Sequence, residues 1–370
     1  MKILLENGIE DYKNNLYEFD GMISFENGKL LDIDSKVSFI VPGFIDQHIH
    51  GAGDIDTMDN NLDSLYELSN FITSEGTTTF FPTTMTYDVD VIKEVLEKID
   101  YCRNNYKTGA KIAGANLEGP FISKDYIGAQ NPQYVLEPDI NVLENLNCNG
   151  VIKLLTYAPE NDQDFTFTKY CKENGIIASV GHSGDTCTHV TNAMKYGLAN
   201  VTHLHNACSA HHHRTPGVVT AAFMNRDLKS ELICDGIHIH PDVVKTTYNI
   251  KGAENIILVT DAMRAKGVKD GEYDLGGQVV VKKGNEARLL NGALAGSVLL
   301  MNNAVKNFHE FSECSLEEAF NSASKVVANL HKLDRVGIIK KGYYCDVVAL
   351  DSKFNVVQTF VNGTEVYKRR

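Results

Sequence analysis

The sequence predicts an α/β fold, a (β/α)8 barrel of the TIM type with a small β-sandwich-like domain built from both chain termini. Three observations point there. From Pro42 onward, short apolar runs alternate with amphipathic helical stretches, the pattern of successive βα units. Eight such runs precede Lys340, and 370 residues accommodate a barrel of about 250 residues with insertions. Both ends, residues 1–41 and 341–370, read as short strands, each too small to build a core alone, so the two are expected to pair into one small β domain beside the barrel, residues 42–340.

The elements follow in order. Residues 1–41 read as short strands with turns at Glu26-Asn27-Gly28 and Asp32–Ser35. Barrel strands are expected over Phe39–Asp46, Thr77–Phe81, Lys111–Leu117, Val151–Thr156, Ile176–Val180, Asn200–Thr202, Glu231–Cys234 and Asn255–Thr260. Leu62, Leu65, Leu68, Phe71 and Ile72 repeat at helical spacing after the first strand, and Val91, Ile92, Val95, Leu96 and Ile99 after the second. Val190, Ala193 and Met194 do so after the fifth, and Val243, Val244 and Tyr248 after the seventh. These stripes read as core-facing surfaces. Strands at Asp346–Leu350, Val356–Val361 and Glu365–Tyr367 complete the terminal domain.

Composition narrows the function. Lys and Arg number 35 against 48 Asp and Glu, a net charge of −13. That speaks against nucleic acid, which asks for a basic stripe, and against a membrane surface held by polybasic charge. No apolar run reaches the roughly 20 residues of a membrane helix. The longest, Ala293–Met301, is broken by Gly296 and Ser297. The first residues turn acidic too early for a secretory signal, and eight Cys without a CxxC read as reduced thiols, so a cytoplasmic protein is expected. One feature is uneven. Nine of the 13 His lie between His182 and His240, while the first half holds only His48 and His50. Crowded imidazoles are what a transition metal asks for.

Barrel chemistry sits at the C-terminal ends of strands. The first strand runs into Asp46-Gln47-His48-Ile49-His50, and residues two apart on a strand share a face, so both His can look into the mouth. The third ends in Leu117-Glu118-Gly119-Pro120, the fifth in Val180-Gly181-His182-Ser183, the sixth in Thr202-His203-Leu204-His205-Asn206 and the eighth in Val259-Thr260-Asp261-Ala262. Each alone is more often a capping or core residue than a ligand; five together ask for a common cause. Three such placements supply N, N and O ligands with room for water, as in catalytic zinc-type sites. Asp261, facing the same mouth, reads as a general base outside the ligand set.

These motifs occur in order with Arg214-Thr215-Pro216-Gly217, Asp235-Gly236-Ile237-His238 and Leu294-Ala295-Gly296-Ser297. The set resembles the N-acetylglucosamine-6-phosphate deacetylases of the amidohydrolase superfamily, over nearly the whole chain from Pro42-Gly43-Phe44 to Gly342–Leu350. The resemblance implies that Glu118, His182 and His203 are the main metal ligands and Asp261 the acid/base. It implies contacts to a phosphorylated N-acetyl amino sugar from Ala129, Gln130, Asn206, Ala207, Arg214, Asp235, Gly236, Ile237, His238, Leu294, Ala295 and Gly296. It further implies a homodimer and one or two divalent ions per chain, with Zn, Fe, Co and Mn all suited to His and carboxylate. Two departures stand out. Many members lack the first HxH pair, which this chain keeps as His48 and His50, leaving room for a second metal. Where the family usually has a His that polarises the substrate carbonyl, this chain has Gln130, an uncharged donor. Together they suggest that a second metal takes over that polarisation.

The galactosamine epimer would be selected around Gln130 and its loop. A cyclic-amide hydrolase would want a carboxylated Lys at a strand end, whereas Lys153 lies inside the fourth strand. A non-catalytic metal-binding barrel has no use for Asp261. GxxxxGKS, GxxxxGKT, strand-borne GxGxxG and GxSxG motifs are all missing, so nucleotide and serine-hydrolase chemistry lose their signals. The planar fork of Arg214 suits phosphate. His211, His212 and His213 read as a mobile or subunit-contact segment; His189, His240, His309 and His331 as structural; Cys208 as packing. Gly296-Ser297 precedes a helix expected from about Val298, whose N–H groups could face an anion.

Overall fold

The computed structural model describes residues 1–11, 18–19, 23–24, 33–147 and 149–370; the expected turn at Glu26-Asn27-Gly28, and Asp32 of the next one, lie outside the described residues. Eight parallel strands form the barrel: β1 (Phe44–Ile49), β2 (Thr77–Thr84), β3 (Ala115–Glu118), β4 (Ile152–Tyr157), β5 (Ile177–Val180), β6 (Leu198–Val201), β7 (Lys229–Leu232) and β8 (Ile256–Leu258). Each pairs with the next in chain order. A parallel bridge from Ile49 to Ala262 returns the chain after β8 to β1. Strands covered on both faces need continuous apolar or β-branched character. β2, TTTFFPTT, has it and is buried along its whole length.

The helices follow the sequence stripes. Asp88 caps Val89–Asn104 by accepting from the Asp90 N–H, and that helix buries Ile92, Val95, Leu96 and Ile99. Each such side chain contributes about 1.5–3 kcal/mol when fully covered. Ser315 and Glu318 form a reciprocal capping box at the start of Leu316–Ser322. Among the described residues no helix is long and apolar enough to cross a membrane.

The termini combine as expected, into one six-stranded sheet ordered Gly8–Asp11, Lys2–Leu5, Phe39–Pro42, Val347–Leu350, Val356–Val361 and Thr364–Lys368. Ile3, Ile40, Val347, Ala349, Val357 and Phe360 build a small core on one face. Leu4, Val41, Val348, Leu350 and Val356 join the barrel core on the other.

Several expected elements differ. The run Phe39–Asp46 is two strands, because Phe39–Pro42 belongs to the terminal sheet and Phe44–Ile49 to the barrel. The break falls at Gly43, where a Cβ would lie 2.1 Å from Thr78 Oγ1. Lys111–Leu117 divides into Lys111–Ile112 and β3. β7 sits at Lys229–Leu232, two residues before Glu231–Cys234, since its ladder to β8 runs from Ser230 to Leu232. The helix expected from Val298 begins at Met301, whose N–H donates to the buried Glu75. A three-stranded antiparallel sheet, Gly271–Leu275, Gln278–Lys283 and Glu286–Leu289, is an insertion after β8 that is not among the elements expected from the sequence.

Candidate active site

The strand-end residues converge at one mouth of the barrel. His48 lies on β1 with His50 one residue beyond it, Glu118 ends β3, His182 and His203 lie two residues past β5 and β6, and Asp261 three past β8. His182, His203 and Asp261 hold left-handed φ values of 47°, 30° and 47°. Non-glycine residues accept that conformation at a cost, and such outliers gather at functional sites. Gly181 lets the chain pass closely here; a Cβ would fall 2.7 Å from Thr202 Cβ and 2.8 Å from Thr156 Cγ2.

Glu118 is the hub. Its Oε1 lies 3.2 Å from His182 Nε2, 3.1 Å from His203 Nε2 and 3.5 Å from His48 Nε2. Its Oε2 lies 3.1 Å from His50 Nε2 and accepts from Gln130 Nε2 at 2.7 Å. Asp261 Oδ1 stands 3.5 Å from His48 Nε2 and 3.3 Å from His50 Nε2. Two triads share one carboxylate: Glu118 with His182 and His203, and Glu118 with His48 and His50. All five side chains are buried.

This donor set fits divalent cations. Among the described residues, buried His48 Nε2 has no hydrogen-bond partner. His182 and His203 bring their Nε2 atoms within 3.2 Å of each other. That separation is close to the ~3.4 Å edge expected of ligands around a tetrahedral ion with bonds of about 2.1 Å. The outer ring nitrogens are tied back: His182 Nδ1 to Tyr126 O at 2.9 Å, His50 Nδ1 to Thr83 O at 3.2 Å and His48 Nδ1 to Glu231 Oε2 at 3.1 Å. Such ties turn Nε2 inward.

The electrostatics agree. Burial alone would lower the His48 and His50 pKa values, but Glu118 and Asp261 outweigh it, raising His48 well above its usual value and His50 to about 9. Burial would raise the Glu118 carboxyl, yet the charge of His48 and hydrogen bonds from His182 and His203 hold it well below the usual carboxylate range. Asp261 is lowered against its own burial by His48 and His50. The pair of carboxylates thus favours positive charge at the centre of the cluster.

Above the cluster opens a cleft of about 400 Å³. Of the residues singled out from the sequence, His50, Glu118, Ala129, Gln130, His182, His203, Asn206, Ala207, His238, Asp261, Leu294 and Gly296 line it. His48 is fully buried at the cluster and does not line the cleft. Arg214 is exposed and outside the lining, its Nη1 2.7 Å from His213 Nε2. Asp235, Gly236 and Ile237 are outside it too, but Asp235 accepts from the backbone N–H of Ile237 and His238 and lies 2.6 Å from His238 Nδ1, fixing that ring at the cleft wall. Ala295 packs under the insertion sheet with Met85 and Met263. His205 points elsewhere, to Thr247 Oγ1 at 2.9 Å. The Cys208 thiol is pushed up to about 11 by burial, as befits a packing residue.

Met85, Asp125, Tyr126, Ile127, Gly128, Leu275 and Ala293 also line the cleft and were not singled out from the sequence. Tyr126–Gly128 adjoin Ala129, so contiguity could have found them. Leu275 comes from the insertion sheet, whose alternating middle strand Gln278–Lys283 was the available signal.

A parallel barrel with histidine and carboxylate ligands at its strand ends is the architecture of metal-dependent hydrolases, and the sequence matches the amidohydrolase family over residues 39–366. The chain belongs to the amidohydrolase family. It is 40% identical over 336 residues to the N-acetylglucosamine-6-phosphate deacetylase of Lysinibacillus sphaericus, covering 90% of this chain and 86% of that protein. To the N-acetylgalactosamine-6-phosphate deacetylase of Escherichia coli O157:H7 it is 32% identical over 367 residues, covering 98% and 97%. The crystal structure of N-acetylglucosamine-6-phosphate deacetylase from Thermotoga maritima superposes with a TM-score of 0.88 at 34% identity, covering 100% of this chain and 98% of that one.

Proposed function

We propose that the protein is a metal-dependent hydrolase that removes acetate from N-acetyl-D-glucosamine 6-phosphate, giving D-glucosamine 6-phosphate. The observation that carries this reading is Asp261 Oδ1 set beside the Glu118-centred histidine cluster at the floor of the cleft. Glu118, His182 and His203 would hold the main divalent cation, and His48 and His50 with Glu118 a second; Zn, Fe, Co and Mn all suit these donors. Bound there, cations supply a water acidified toward neutrality and, on the His48–His50 side, positive charge for the acetyl oxygen.

Asp261 takes the proton from the attacking water and returns it to the departing amine nitrogen. Gln130 is held at both ends, its Oε1 accepting from Thr86 N–H at 2.8 Å and its Nε2 donating to Glu118. One hydrogen of that NH2 thus steadies the carboxylate that the two triads share. His238, braced by Asp235, and Asn206 face the sugar, while Arg214 takes the phosphate from the exposed side. We read the protein as a cytoplasmic homodimer with the His211–His213 loop at the subunit contact, and its chain as a barrel of 42–340 flanked by the halves 1–41 and 341–370 of one β domain.

The galactosamine epimer is the second reading, favoured by the relative of that name matched over 98% of the chain. Acetate release from both 6-phosphates, compared as kcat/KM on protein of known metal content, decides. A preference for the glucosamine substrate is expected. A preference for its epimer would install the second reading, and no release from either would leave a non-catalytic metal-binding barrel.

A further inference from the structure

Glu231 is fully buried on β7, beneath the metal-ligand cluster, and four donors converge on its carboxylate. Gln47 Nε2 donates to Oε1 at 2.6 Å and Asn200 Nδ2 at 3.1 Å. The backbone N–H of His203 donates to Oε2 at 3.1 Å, and His48 Nδ1 lies 3.1 Å from the same oxygen. One oxygen atom thus touches a residue of each triad. His48 is also set apart from the other three histidines: His50 and His182 rest on backbone carbonyls, and His203 Nδ1 has no hydrogen-bond partner among the described residues.

We propose that Glu231 is the positioning residue of the His48–His50 half of the site. Its Oε2, already accepting from the His203 N–H, accepts His48 Nδ1–H. That fixes the tautomer in which His48 Nε2 carries a free lone pair toward Glu118 and Asp261. The same contact sets the spacing between the two triads. A carboxylate is the side chain that can do this, since all four neighbours donate and an acceptor-only group satisfies them all. Glutamine has no orientation that serves. With its NH2 toward His48 it meets His203 N–H and inverts the imidazole; turned about, it meets the amide hydrogens of Gln47 and Asn200. Gln47 is not free to flip in compensation, because its Oε1 is engaged with His331 Nε2 at 3.0 Å.

This inference rests on the reading that His48, His50 and Glu118 hold a second cation, and zinc alone separates the two. Metal-stripped wild type and Glu231→Gln are titrated with zinc, and bound zinc per chain is counted. Wild type is expected to take two equivalents. Glu231→Gln is expected to bind the second about 10–100-fold more weakly, the usual effect of losing a carboxylate behind a ligand histidine, with the first little changed. Two unchanged equivalents, or equal weakening of both, would overturn the positioning role and leave the two-cation reading standing. A wild type that binds only one equivalent would overturn both. Should Glu231→Gln fail to fold, two-bond proton–nitrogen spectra of histidine-labelled, zinc-loaded wild type decide. His48, assigned by loss of its signals in His48→Ala, must carry its proton on Nδ1; a bare Nδ1 refutes the proposal.

Discussion

Asp261 combines a left-handed backbone, a buried carboxylate and two histidine neighbours, and its backbone N–H donates to His48 O. Asp261→Asn keeps that backbone contact and the shape of the side chain while removing the proton acceptor. The protein is expected to keep its metal and lose about 10²–10⁴ in kcat, the range of a positioned general base. Metal analysis beside an acetate-release assay checks this, and an equally active variant would refute the mechanism. His48→Ala tests the carbonyl role on the other side: loss of the second metal with kcat unchanged would remove it. Arg214→Ala should lower kcat/KM for the phosphorylated substrate about 10–100-fold, the worth of a charged hydrogen-bonded contact, and leave the unphosphorylated sugar nearly untouched. An equal loss on both would take away its phosphate role. His48, His50, Glu118, His182, His203 and Asp261 were legible because barrel strands deliver their last residues to one mouth. Glu231 was not, since its partner Gln47 lies 184 positions away and nothing local marks the pair.

At the scale of elements, the alternation of apolar runs and amphipathic stretches carried the barrel, and its errors have physical causes. Pro42-Gly43 joins two strands of different sheets into one apolar run, so periodicity alone could not divide Phe39–Asp46. β7 slid by two residues because Ile233 and Cys234 are as buried as the strand before them. The insertion sheet is half exposed, with Val279 and Val281 facing out, and makes its own small core with Met85 and Met263. One bond ties it to the wall of the cleft. Gln278 Nε2 donates to Ala129 O at 2.6 Å, tying the insertion to the loop that carries Gln130. Removing this bond should loosen that loop without disturbing the barrel. Gln278→Ala is expected to lower kcat/KM about five-fold, equivalent to a net hydrogen bond of about 1 kcal/mol, chiefly through KM and with little change in thermal stability. Steady-state kinetics with a melting curve tests this; a fall in stability with unchanged KM would make the contact merely structural.

Across the whole molecule, a charge of −13 gives little long-range attraction for a phosphorylated sugar, so recognition falls to a few oriented groups in and beside the cleft. The interior is more telling. His331, at the end of the helix Lys325–His331, reaches β1 through Gln47 and stacks on Phe81 with ring centroids 4.1 Å apart. Burial, helped by the charge of Lys153, lowers its pKa from 6.5 to about 3. Between those values the unfolded chain binds a proton that the folded protein refuses, so this group's contribution is complete above pH 6.5 and is lost as pH falls toward 3. By pH 5 the loss is about 1–2 kcal/mol, reduced somewhat because the residue is not wholly enclosed. Asp46 and Asp56, each raised to about 6 chiefly by burial, act in the opposite sense below pH 6, so the total pH dependence does not isolate His331. A double difference does. His331→Asn forfeits the stacking on Phe81 at every pH, a constant that cancels when each protein is compared with itself. Denaturant unfolding at pH 7 and pH 5, at matched zinc, should show wild type losing about 1–2 kcal/mol more than the variant on acidification. Parallel losses in the two proteins would mean that His331 takes up its proton without leaving the fold.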